Sequence, residues 1–102
     1  MRNYACHRLY ISPDHYLKQA FVSLDEQGRV VRYASFQEEI VATEWIGGII
    51  ILSDTLSSPC GDFHAWLVLE MKSQAEQTHA WHLSDFDFTK EKPTGQSILR
   101  RL

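Results

Sequence analysis

The sequence predicts a mostly β fold with an α+β fringe: a small β-sandwich or open barrel of about five to six strands, with one short helix near residues 36–45. Three observations predict it. Short β-prone runs recur between turn-forming residues. An isoleucine-rich run, Ile49-Ile50-Ile51, suits a strand covered on both faces. A capping-box pattern, Ser35-Phe36-Gln37-Glu38, marks a single helix start.

The elements follow in order. Tyr4 to Ile11 is rich in Tyr, Leu and Ile and reads as a strand, ended by Ser12-Pro13-Asp14. Leu17 to Leu24 is a second strand with apolar residues on both faces, so it is covered on both sides or lies near an oligomer contact. Asp25-Glu26-Gln27-Gly28 is a hairpin connection into a third strand from Arg29. Phe36, Ile40, Val41 and Trp45 recur at helical spacing, and Gly47-Gly48 ends that helix. Gly48 to Ser53 is a buried strand. Asp54 to Gly61 is a loop by composition.

Phe63 to Met71 alternates like a strand. Phe63, Ala65, Leu67, Leu69 and Met71 make one face; His64, Trp66, Val68 and Glu70 make the other. Ser73 to Thr78 is a polar connection, and His79 to Phe88 is a further strand. Residues 89–96 form a linker, and Ser97 to Leu102 adds a short edge strand.

One hundred and two residues make a single domain, 1–102, with one core. The formal net charge of −3 argues against nucleic acid, which calls for a basic face. The charge is uneven: residues 89–102 carry Lys90, Lys92, Arg100 and Arg101 against Glu91. That segment reads as a basic, solvated tail. The opening residues lack a signal-peptide core, and no apolar run is long enough to span a bilayer. A cytoplasmic protein with reduced thiols is therefore expected. A Cys6–Cys60 disulfide stays open at the sequence level.

The stretch from Leu17 to Asp54 resembles the opening of amidohydrolase-type metal-dependent hydrolases. There a small β-domain, built from both chain ends, leads into a catalytic barrel. The strand at 4–11, the hairpin at Gly28 and the Trp45-Ile46-Gly47-Gly48 step carry the likeness. Phe63 to Glu70 looks like a returning strand. The family's His-x-His metal motif is replaced by Leu52-Ser53-Asp54-Thr55. A barrel of roughly 250 residues does not fit this chain. The resemblance implies a β-domain without its barrel. It carries over no catalytic residue, no metal ligand and no cofactor.

The expected function is a non-catalytic interaction or accessory module. It self-associates as a homo-oligomer or packs on a larger protein, such as an amidohydrolase. Trp66 and Val68, on the less apolar side of their expected strand, are its candidate interface. Tyr10, Tyr16, Trp45 and Trp81 are the other aromatics of interest.

The alternative is a small-molecule or metal-binding protein. On an extended backbone Cys60, Asp62 and His64 share a face, and all three residue types bind zinc. His79 or His82 offers a fourth ligand. The plainer role of Cys60 to His64 is a turn entering a strand. Cys6 and His7 point to opposite faces of a strand, so His7 cannot activate Cys6. Asp85 and Asp87 share a strand face that reads as solvated.

Overall fold

The computed structural model describes residues 2–35, 43–71 and 79–102. The chain is mostly β, as its sequence predicts. Strand β1 (Arg2–Ser12) turns at Pro13-Asp14 into β2 (His15–Leu24), which leads to β3 (Val30–Ser35). Then come β4 (Thr43–Trp45), β5 (Ile49–Ser53), helix α1 (Phe63–Met71) and β6 (His79–Leu83). Two short strands, β7 (Phe86–Asp87) and β8 (Lys92–Pro93), and finally β9 (Leu99–Arg101) complete the order.

Seven strands form one mixed sheet in the order β3-β2-β1-β5-β6-β9, with β4 also beside β1. β7 and β8 make a separate ribbon. β1 is the organising strand. One edge pairs antiparallel with β2. The other edge is shared by two parallel partners: β4 against Asn3 to Ala5, and β5 against Arg8 to Tyr10. The sheet is open but curled, and Arg29 bridges across to His79.

Between the two partners β1 changes face. Ala5 and Cys6 are both buried, as are Leu9 and Tyr10. Opposite this step Gln19 takes φ 47°, which interrupts the alternation of β2. Gly47 and Gly48 join β4 to β5 at the same level. The His7 amide donates to the Gly48 carbonyl at 3.1 Å, and the Ile46 amide to the Ala5 carbonyl at 2.9 Å.

Ile49 to Leu52 are fully buried, so the isoleucine run is covered on both faces as its composition predicts. Ile49 and Ile51 pack under α1 with Phe63, Trp66, Leu67 and Met71. Ile50 and Leu52 fill the concave side with Cys6, Leu9, Val22 and Leu24. Ala20 to Leu24 of β2 are likewise buried throughout, which agrees with a strand covered on both sides. At the β2–β3 turn, the Asp25 carboxylate accepts from the Gln27 and Arg29 amides at 2.9 Å each, while Gly28 takes φ 78°.

Three local readings are corrected. Phe63 to Met71 is a helix, not an alternating strand. The run is apolar at nearly every position, so it satisfies a period of 2 and a period of 3.6 alike. Asp62 decides between them. Its carboxylate accepts from the Ala65 amide at 2.9 Å and its carbonyl from the Trp66 amide at 2.9 Å, a helix N-cap.

The helix expected at 36–45 is the second case. Residues 36–42 lie outside the described residues, and Thr43 to Trp45 is strand β4. Third, the expected strand at 79–88 breaks after Leu83, and Asp85 at φ 52° turns the chain into the β7–β8 ribbon. The edge strand expected at 97–102 forms as β9 on β6. Among the described residues no helix is long and apolar enough to cross a membrane.

Candidate functional site

The hairpin of β1 and β2 sets Tyr10 directly opposite Tyr16. Their rings lie 5.1 Å apart, and Phe63, the first residue of α1, stands 5.8 Å from Tyr10 edge to face. These three rings and Leu67 line an open pocket of about 290 Å³. Asp14, His64 and Glu91 also line it, and all three are exposed at its rim. The Asp14 carboxylate meets His64 Nε2 at 2.7 Å.

Glu91 is held from outside the pocket. Arg8 grips it with both terminal nitrogens, the longer contact at 3.2 Å. The guanidinium lies 4.6 Å over the Tyr16 ring and 5.1 Å over Phe88. The Glu91 hydrogen bond raises the Arg8 pKa further, so its charge is permanent. Burial pushes the Tyr10 phenol up, with Arg8 partly opposing, and the phenol stays neutral at pH 7. Glu91 itself sits at φ 56°, an uncommon backbone for a residue with a side chain.

The metal candidates do not converge. Cys60 is exposed in the loop before α1. Asp62 caps α1, and His64, two residues on, points to Asp14. On a helix these positions no longer share a face. His79 lies 3.9 Å from Asp54, and the His82 ring donates to the Gly47 carbonyl at 3.2 Å. Burial lowers the His82 pKa, with Arg100 across the β6–β9 pair adding to the effect and the Gly47 carbonyl opposing it. Among the described residues no group of three His, Cys, Asp or Glu side chains is placed to hold a metal ion.

The interface candidates separate in the same way. Trp66 is 4% exposed, stacked on Phe63 at 5.8 Å, and belongs to the core. Val68 is 41% exposed, and Leu69 beside it 61%. Asp87 serves its own turn, accepting from the Thr89 and Lys90 amides.

The two cysteines are free and differ sharply. Cys6 is fully buried, and burial pushes its thiol up to about 12, with hydrogen bonding to neighbouring backbone acting the other way. A thiol so rarely ionised is no nucleophile. Iodoacetamide at neutral pH should therefore label Cys60 alone in the native protein and both thiols in guanidinium. Two labels in the native protein, counted by mass spectrometry, would show that β1 opens.

Sequence reasoning singled out Tyr10 and Tyr16 but not the pocket between them. They stand at equal distance from Pro13, and the register shift between Tyr10 and Ser12 sets them opposite one another, where a regular two-residue turn would pair Tyr10 with Leu17. Phe63 and Glu91 arrive from distant segments, with no sequence signal for either. A scan against protein-family models, a search of curated proteins and a search of solved structures each find no match.

Proposed function

We propose that this protein is a non-catalytic interaction module that associates through the outer face of α1. One observation carries this reading: the helix is apolar on both sides. Phe63, Trp66, Leu67 and Met71 face the core, while Ala65, Val68 and Leu69 form a second apolar stripe that is exposed. A helix apolar all round belongs in an interior, and here only one side has one. We take its occupant to be a second copy of the chain, since an uncharged stripe offers a partner no charge to complement and two copies can pair it about a two-fold axis. The likeness to a barrel-less amidohydrolase β-domain supports the competing occupant, a larger hydrolase.

Light scattering tests this. The wild type should exceed the monomer mass of 11.8 kDa. Leu69→Glu should return it to a monomer that still unfolds cooperatively, since the side chain lies outside the core of the single chain. A wild type that stays monomeric at every concentration overturns self-association. If the same monomer also recovers no hydrolase from host extract, the module reading falls with it.

A second reading, a small-molecule-binding protein, is favoured by the pocket at Tyr10, Tyr16 and Phe63. Its metal form, through Cys60, Asp62 and His64, draws no such support, because Asp62 caps a helix and His64 pairs with Asp14.

A further inference from the structure

We propose that the pocket between the β1–β2 hairpin and α1 binds a small organic ammonium ion with an apolar body. Asp14 takes the charge, and the rings of Tyr10, Tyr16 and Phe63 take the body. This rests on the small-molecule reading and names the ligand class.

Size, wall and charge converge on that class. The volume of about 290 Å³ stands at the small end of ligand pockets, which run from roughly 300 to 1,000 Å³. It fits a fragment of one ring and a short chain. Three aromatic rings line it, and aromatic faces attract cations through their quadrupole. Tyr16 already does so with Arg8, which lies 4.6 Å from the ring centroid. The pocket's polar lining includes two carboxylates, Asp14 and Glu91.

The two acids are not equivalent. Arg8 engages both oxygens of Glu91, so that charge is largely compensated. Among the described residues Asp14 meets only His64, through one oxygen, and its side chain is 84% exposed. An ammonium group at the rim can approach the other oxygen of Asp14 while the ligand's body lies against Tyr10 and Phe63. An anion meets the opposite situation. Among the described residues the lining offers it His64, which is already engaged by Asp14, while Asp14 and Glu91 repel it. Neutral aromatic ligands gain the ring contacts but not the charge.

The test titrates 2-phenylethylammonium into the full chain, with phenylacetate as its anionic counterpart, followed by amide chemical shifts. The amine should saturate near Kd of about 1 mM, as befits a fragment of this size. Its shifts should gather at Tyr10, Asp14, Tyr16 and His64. Phenylacetate should not saturate below about ten times that concentration. Asp14→Asn, a change at an exposed side chain that leaves the fold intact, should weaken the amine about tenfold. Tyr16→Leu should weaken it by a similar factor.

Saturation by phenylacetate at the same residues overturns the ammonium assignment while leaving a small-molecule pocket in place. Saturation by neither overturns both. An amine affinity unchanged in Asp14→Asn also overturns the assignment. The titration repeated in Leu69→Glu keeps the pocket separate from the association face.

Discussion

Replacing Gly48 with alanine should destabilise the protein by about 2–5 kcal/mol, the left-handed backbone and the steric clash contributing together. Gly48 sits at φ 59°, and a Cβ there would stand 2.6 Å from the Leu83 carbonyl oxygen and 3.2 Å from His82 Nε2. The first of these is backbone, and it cannot swing aside. Leu83 is the register partner of Ile49, so relief must come from shifting β5 against β6 in the middle of the sheet. The neighbouring bond from His82 to the Gly47 carbonyl would be disturbed as well. Urea unfolding should show a lower midpoint with an unchanged slope. Gly95→Ala is the control: nothing lies within 4 Å of a Cβ there, and its midpoint should stay put. A Gly48→Ala midpoint equal to that of Gly95→Ala would mean that the β4–β5 joint is looser than this geometry.

Trp66→Ala should cost about 3–5 kcal/mol and leave the assembly state unchanged. The side chain packs with Phe63, Ile49 and Ile51 beneath α1, and its loss opens a cavity in the core shared by helix and sheet. Trp66→Phe separates two contributions. The buried indole Nε1 finds no hydrogen-bond partner among the described residues. Phenylalanine removes that unsatisfied donor while keeping much of the apolar volume, so it should destabilise far less than alanine. Thermal unfolding reads the stability and light scattering the mass. A lower mass with little loss of stability would return Trp66 to the role of an interface residue.

The two substitutions mark where the sequence was legible. The strands at 4–11, 17–24 and 48–53 were readable because β-branched and aromatic residues sit between turns built on Pro13, Gly28 and the Gly47-Gly48 pair. The edge strand near 97–102 was readable as well. Gly47-Gly48 reads from sequence as a break at a helix end. It is a step between two strands on the same edge of β1, and such pairing depends on residues some forty positions away. Phe63 to Met71 misled for a different reason. Its apolar residues are so dense that two periodicities fit, and the Asp62 cap was read as a turn. Once that segment is helical, the metal candidates and the interface candidates both come apart, because each relied on a two-residue repeat. The pocket was half legible. Tyr10 and Tyr16 belong to one hairpin, whereas Phe63, His64 and Glu91 are brought there by tertiary folding alone.

The divided edge of β1 also governs how the chain reaches this state. The β1–β2 hairpin is local and needs only the turn at Pro13-Asp14 to close. The opposite edge of β1 waits for Thr43 to Trp45 and Ile49 to Ile51. Pairings of that sequence separation place a domain among the slower folders, on the order of milliseconds to seconds. Until they arrive, a hairpin rich in Tyr and Leu would display an open row of backbone donors and acceptors, a template for strands of other chains. In the finished sheet the isoleucine run covers the Arg8 to Tyr10 part of that edge. A translational pause before Ile49 should therefore raise aggregation of the nascent chain without changing the finished fold.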